Sequence, residues 1–450
     1  MRKSAAILAL GAAALTVTVS AQTGAVPTGV PYLDHVFLIM MENHGYEQVI
    51  KNPNEPYLNS LINGNKVNLA TNYFAVGHPS LTNYLEIVGG SNFGVRSDSS
   101  PNWGSVSCSP NIVTGIVNAD DGGGTSAPGV PSKLDTGDIC PIAGSGMDAA
   151  TPAVDTWNEV GGPFNALADL DGIKSVPAAK TVGMSIADQL TGVGLQWKSY
   201  EESLPVTGGM KVDYSNGTST NNSNFGSLKP LTSGDVVQLY AVKHNPFAYF
   251  KSVQDGEPES NSMANVVGFD GPGGLYADLA SGSLPSFAFI VPNQCNDQHG
   301  RSNADKFCAF DYGANPDGSG YTYGTQKGLN GGLILQGDMT IKRIVEAITA
   351  SPSWQWGRNA IVIVWDENDY SGLAKAPAAG TAFPTVNQNQ VVLTVQTNYQ
   401  GKQVGKSNKY YTSYSLTKSL EAAFGLPCLN HACDTNVNVM SDLFAVPAQQ

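Results

Sequence analysis

The chain has 450 residues, of which 41% are hydrophobic, enough to bury a sizeable core and to exclude wholesale disorder. Charged residues are only 14%, against 50 Gly and 26 Pro, which reads as a loop-rich, weakly charged surface. The 24 basic and 37 acidic residues give a net charge of −13, which argues against a nucleic-acid binder working through a basic face. At about 150 residues per domain the length suggests three domains, but one large α/β catalytic domain with insertions fits equally well.

The chain opens as an export signal does. Met1-Arg2-Lys3 is basic, Ala5 to Val19 is small and apolar, and Val19-Ser20-Ala21 suits signal peptidase, so residues 1–21 read as a leader and Gln22 as the mature start. The apolar run falls short of the roughly 20 residues a membrane span needs. An exported protein without stable membrane insertion is expected, secreted or periplasmic, with residues 22–450 as a single domain.

Val36 to Met41 is the first apolar run of strand length. In Gly77 to Gly90, Leu81, Leu85 and Val88 share a helical face, which puts Ser80 at the N-cap. Residues 95–160 and 206–234 are rich in Gly, Ser, Asn, Asp and Pro, show no period, and read as surface insertions or a lid. Ser185 to Asp188 has the form of a capping box, with Gly192 closing the helix. Phe287 to Val291 and Ile361 to Trp365 are two further strands, with Val391 to Leu393 a shorter fourth. Between them, Gly337 to Ser351 carries Ile341, Ile344, Val345 and Ile348 on one stripe. Ser415 to Phe424 is a last helix, stopped by Gly425 and Pro427. Continuous rather than alternating apolar strands, separated by helices, predict an α/β fold, a three-layer α/β/α arrangement around a mostly parallel sheet.

Six cysteines in an exported chain predict disulfides, and closure between chain neighbours pairs Cys108 with Cys140, Cys295 with Cys308 and Cys428 with Cys433. No pair has the two-residue gap of a zinc knuckle.

The chemistry is concentrated after the strands. Glu42-Asn43-His44-Gly45 follows the first, Pro292 to His299 the run ending at Val291, and Asp366-Glu367-Asn368-Asp369 the run ending at Trp365. Ligands of open parallel sheets bind outside the carboxyl ends of the strands, so three strands deliver oxygen and imidazole donors to one edge. Such a set suits a hard divalent cation, and histidine extends the range to zinc, manganese or iron. For any one cluster a capped helix or solvated turn is the plainer role. Ser80 also has two readings: a simple cap, or a nucleophile at the positive end of a helix, where phosphate is favoured. Asn83, one turn on, can offer its amide to a phosphoryl oxygen. No Gly-x-Ser-x-Gly elbow and no His-Glu-x-x-His helix occurs, and Gly401 to Ser407 is one residue short of a P-loop.

Val36 to Gly45 resembles the opening motif of the phosphoesterase family of bacterial and fungal acid phosphatases and phospholipases C, part of the alkaline-phosphatase-like superfamily. The resemblance continues in order through Asn72 to Tyr84, Trp197 to Glu201, Lys243 to Phe247, Pro292 to Gly300, Val364 to Asn368 and Tyr410 to Pro427. It implies an alkaline-phosphatase-like fold, Glu42, Asn43, Asp366 and Glu367 as metal ligands, Ser80 as nucleophile and Asn83 as a phosphate contact. His78, His244, Asp297 and His299 would line the pocket, with an imidazole protonating the leaving alcohol. Relatives often carry His where this chain has Ser413, which favours one metal site and leaves Asp297 and His299 as candidate ligands of a second. The expected reaction is hydrolysis of a small phosphate ester through a phosphoserine. Monoesters are favoured over the lipid diesters of a phospholipase C because the chain ends soon after the last motif and no amphipathic membrane helix stands out. A non-catalytic metal-binding protein of the same fold is the rival from another class.

Overall fold

The structure is a computed structural model that describes residues 24–77, 79–93, 95, 98–102, 139–146, 181–204, 228, 239–301, 304–309, 330–368, 389–399, 405–435 and 437–444. The leader expected at 1–21, His78, Cys108 and most of both expected insertions lie outside the described residues.

An eight-stranded sheet organises the chain. Its members are β1 (His35–Met41), β2 (Asn68–Ala70), β6 (Trp197–Glu201), β7 (Val266–Val267), β8 (Phe287–Val291), β9 (Asn359–Trp365), β10 (Leu393–Thr397) and β11 (Lys406–Ser407), in the order β11-β2-β10-β9-β1-β8-β6-β7. Four short strands, β3 (Tyr73–Phe74) with β12 (Tyr411–Thr412) and β4 (Ser145–Gly146) with β5 (Thr181–Val182), pair outside it. β1 is central and parallel to both β8 and β9, which makes the three strands expected to carry the chemistry immediate neighbours. All seven residues of β9 are buried, as are Val36 to Met41 of β1, the pattern that produces unbroken apolar runs.

β10 is antiparallel to both β9 and β2. The strand expected at Val391 to Leu393 therefore needs correction: only Leu393 belongs to it, and Val391 and Val392 precede it as a buried connection. Burial made these residues apolar, and burial does not report direction.

Helices cover both faces. Phe287 and Phe289 point to the same side of β8. Phe287 meets Phe424 at the end of the helix Ser413–Phe424, and Phe289 meets Tyr84 in the helix Ser80–Gly89. These two helices thus share one face and pack on each other, with Thr417 Oγ1 donating to the carbonyls of Glu86 and Ile87 at 2.9 Å. Phe37 is in register with Ala288 and so faces the other way, against Trp354, which follows the helix Gly331–Ala350. That makes three layers.

The capping box is present: Ser185 N donates to Asp188 Oδ2 at 2.7 Å, and the helix Ile186–Gly192 follows. The stripe of Ile341, Ile344, Val345 and Ile348 is buried, and Asp338 on the same helix caps a neighbour by accepting from Tyr57 and Leu58 N–H. Cys295–Cys308 and Cys428–Cys433 are disulfides as expected. Cys140 is also disulfide-bonded, and its expected partner Cys108 lies outside the described residues. No helix among the described residues is long and apolar enough to cross a membrane.

Candidate active site

The carboxyl ends of β1, β8 and β9 are knitted together. Glu42 N donates to Asp297 O at 2.9 Å, and Asp366 N donates to Met41 O at 3.0 Å. Asn43, at a left-handed φ of 55°, turns its backbone N–H onto Asp366 Oδ1 at 2.9 Å. Glu42, Asp297, Asp366 and Glu367 are therefore gathered at one edge, each at most 5% exposed.

The helix Ser80–Gly89 enters this edge from above. Its last turn ends at Gly90, in the left-handed region at φ 68°, where an added Cβ would stand 2.6 Å from Leu429 O. The first turn corrects the capping assignment. Pro79 occupies the N-cap and Ser80 is the first helical residue, 1% exposed, with no capping bond from its side chain. Its hydroxyl stands instead 3.1 Å from Glu42 Oε2 and 3.2 Å from Glu367 Oε1, and Lys243 Nζ approaches it at 3.4 Å. A cap would bond the helix's own N–H groups. This hydroxyl points into the acidic cluster, and the capping role passes to Asp98, whose Oδ1 accepts from Leu81 N at 3.1 Å.

Asn83 lies beneath it. Its Nδ2 donates to Gly77 O at 2.7 Å and to Glu367 Oε2 at 3.3 Å, while its Oδ1 accepts from Val76 and Gly77 N–H. The amide expected to meet a phosphoryl oxygen is thus engaged in fixing the Val76–Gly77 loop and Glu367. Tyr84 donates to Glu42 Oε1 at 2.6 Å and stacks on the His244 ring at 5.2 Å.

His244 and His299 stand on the β8 side, with ring centroids 6.0 Å apart. His244 Nδ1 lies 3.6 Å from Asp297 Oδ2, and His299 N donates to Asp297 Oδ1 at 2.7 Å. His44 is turned onto its own strand end, its Nδ1 3.1 Å from Glu42 O. His244 Nε2 comes within 3.0 Å of Glu42 Oε1 but is not aligned for a hydrogen bond and has no partner.

Burial dominates the electrostatics. It pushes Glu42 well above the ordinary carboxylate range, with Asp366 adding to the effect and Lys243 opposing it. Asp366 is pushed up to about 7, again chiefly by burial. Glu367 is raised by burial and then by Asp366 and Glu42, and Asp297 by burial and Glu42. Burial works against charge on Lys243 too, but Asp98 and Glu42 outweigh it and hold the ammonium above the usual lysine range. Burial, with Lys243 nearby, keeps His244 well below the ordinary imidazole value and brings His299 down to about 4. An imidazole neutral at pH 7 is a poor proton donor, and burial holds both rings in that form in the metal-free protein.

Among the described residues no three His, Cys, Asp or Glu side chains are arranged as a metal site. The donor chemistry nevertheless fits a hard cation. Asp366 Oδ2, Asp297 Oδ2 and His244 Nε2 are buried without hydrogen-bond partners, and four carboxylates share a space where charge is costly unless paired.

Sequence reasoning missed three residues. Tyr84 and Lys243 lay inside motifs already singled out, and a lysine beside a histidine in an otherwise apolar stretch was the available signal. Asp98 carried none, because it sits in a stretch taken for an insertion and reaches the site only through folding.

The Phosphoesterase family model matches residues 49–307. An acid phosphatase of Aspergillus fumigatus is 24% identical over 263 residues, which cover 58% of this chain and 36% of that enzyme. The chain thus spans just over a third of that relative's length. A phosphatidylinositol-3-phosphatase of Mycobacterium tuberculosis is 22% identical over 427 residues, 94% of this chain and 87% of its own. Among solved structures, the soluble domain of lipooligosaccharide phosphoethanolamine transferase A from Neisseria meningitidis overlaps 95% of this chain and 97% of its own at 8% identity, with a TM-score of 0.43. The matched span exceeds half of the chain and includes Ser80, Asn83, His244, Asp297 and His299, so this protein belongs to the Phosphoesterase family.

Proposed function

We propose that this protein is an exported, metal-dependent hydrolase of phosphate monoesters, built as one catalytic domain from residue 22, that works through a phosphoserine at Ser80. One observation carries the reading: the Ser80 hydroxyl leaves the capping position and stands between Glu42 Oε2 and Glu367 Oε1. Both carboxyl groups are in reach of its proton, and either one in its ionised form can accept it, which is what activation of a weak nucleophile needs. The oxygen then attacks phosphorus, the bond to the leaving oxygen breaks, and solvent supplies the leaving group's proton. Water cleaves the phosphoserine and restores the hydroxyl.

Glu42, Asp366, Glu367 and Asp297 are the residues that would hold a divalent cation. Bound there, it lowers the hydroxyl pKa and neutralises phosphoryl charge. Asn43 contributes its backbone N–H, which orients Asp366, and Asn83 orients Glu367. The rest of the chain keeps the nucleophile dry and aimed. Tyr84 fixes Glu42, and Ser80 itself is 1% exposed.

Relatives named acid phosphatase and phosphatidylinositol-3-phosphatase both support a monoester substrate. The disulfides support export. The second relative matches nearly the whole chain, which favours a phosphoinositide as a second substrate to try. Turnover of 4-nitrophenyl phosphate, a phosphoinositide monoester and phosphatidylcholine, each with and without chelator, tests the proposal. Hydrolysis of the first two and not the third is expected. Cleavage of phosphatidylcholine alone would replace it with a phospholipase C reading.

A further inference from the structure

Lys243 is the one cation that meets the Ser80 hydroxyl among the described residues. Its Nζ donates to Asp98 Oδ2 at 2.8 Å and reaches Ser80 Oγ at 3.4 Å. An ammonium carries three N–H donors, so one is left here without an acceptor among the described residues. The side chain is 16% exposed, whereas Glu42 and His244 beside it are 0% and 2% exposed. The Lys243 side chain is therefore more open to solvent than the carboxylates around Ser80.

Its position is set from two directions. The short turn Val242–His244 holds the backbone, with Val242 and His244 both buried. Asp98 holds the tip: one carboxylate oxygen takes the ammonium and the other takes Leu81 N–H in the first turn of the Ser80 helix. The serine oxygen and the ammonium are thereby fixed to the same helix end.

An anion entering this site meets four buried carboxylates behind the serine. A positive charge beside the nucleophile offsets that repulsion. Resting on the phosphate-ester reading of Ser80, we infer that Lys243 contacts a non-bridging oxygen of the substrate phosphoryl group and that Asp98 is the positioning residue that aims it. Lys243 is then a catalytic residue for the transferred group, and Asp98 acts only through it.

The test is binding of inorganic phosphate by calorimetry, in the presence of divalent metal, to full-length wild type, Lys243→Met, Lys243→Arg, Asp98→Asn and the Asp98→Asn/Lys243→Met double variant. Kinetics on 4-nitrophenyl phosphate accompany it. Loss of a charged hydrogen bond predicts phosphate affinity about tenfold to a hundredfold weaker in Lys243→Met, largely restored in Lys243→Arg. Asp98→Asn should weaken binding less, and should add under about twofold once Lys243 is gone, as residues acting through one contact are non-additive. Should Lys243→Met not fold, Lys243→Gln carries the same expectation. Wild-type phosphate affinity in a folded Lys243→Met or Lys243→Gln protein overturns the inference. An equal Asp98→Asn loss with and without Lys243 overturns the positioning role. Lys243-dependent phosphate binding without any ester turnover in the wild type counts against the esterase reading alone.

Discussion

Gly337 sits inside the long helix Gly331–Ala350, where alanine is intrinsically better than glycine by about 1 kcal/mol. The structure predicts the opposite sign for Gly337→Ala. A Cβ there would stand 2.2 Å from Gln298 Cγ and 2.7 Å from Gln298 Nε2. Gln298 has little freedom to retreat. Its backbone is in the left-handed region at φ 83°, its Nε2 donates to Glu55 Oε1 and to Ile334 O at 3.0 Å, and its Oε1 accepts from Trp365 Nε1 at 3.0 Å. Overpacking of this kind costs about 1–3 kcal/mol, and each buried hydrogen bond given up adds about 1 kcal/mol, so a net loss of about 2–4 kcal/mol is expected after the helix gain. Activity should fall too, because Gln298 lies between Asp297 and His299. Denaturant unfolding followed by circular dichroism gives the first quantity and phosphate-ester turnover the second. A Gly337→Ala protein as stable as wild type, or more so, would refute the reasoning.

Ser80→Ala should reduce turnover by several orders of magnitude. Because Ser80 does not cap its helix, the stability cost should stay within about 1–2 kcal/mol, the loss of hydrogen bonds to two carboxylates. Ser80→Thr keeps a hydroxyl in reach and should retain part of the activity, while a folded Ser80→Ala enzyme with near-normal turnover would end the covalent route. Chelation should abolish activity and a divalent metal restore it, with Asp366→Asn needing more metal for the same rate. Full activity after verified metal loss would contradict this. In metal-free protein the raised carboxylates make the folded state hold protons that the unfolded chain releases near 4, so their contribution is full below that value and is lost as pH rises through about 7 for Asp366. The depressed histidines, His299 at about 4, act with the opposite sign, but only below the imidazole value of 6.5. Above 6.5 the melting temperature of the metal-free protein should therefore fall with pH, and added metal should flatten the curve. A melting temperature that rises from pH 6.5 to 8 without metal would refute the carboxylate assignment.

Much of the scaffold was legible because burial on both faces writes itself into sequence. Val36 to Met41, Phe287 to Val291 and Ile361 to Trp365 are unbroken apolar runs, and all three are the parallel strands that carry the site. The polar residues that follow them were readable for the same reason, since a chain leaving a buried strand changes composition at once. Strand direction was not legible: Val391 to Leu393 has the composition of its neighbours, yet the strand that begins there runs antiparallel. The Ser80 cap was misplaced by one residue because Pro79 can close a helix without a side-chain bond, which frees the serine. Asp98 and Lys243 are 145 residues apart and meet only in the folded chain, so their pairing had no local trace.

The central claim is a covalent bond between phosphorus and Ser80. Rapid acid quenching of the enzyme during turnover of a phosphate monoester, followed by peptide mass spectrometry, reads that bond directly. The account predicts one phosphoryl group on the peptide containing Ser80, absent from Ser80→Ala and from enzyme quenched without substrate. An active enzyme that never carries phosphate on Ser80, under quench times shorter than one turnover, would contradict it.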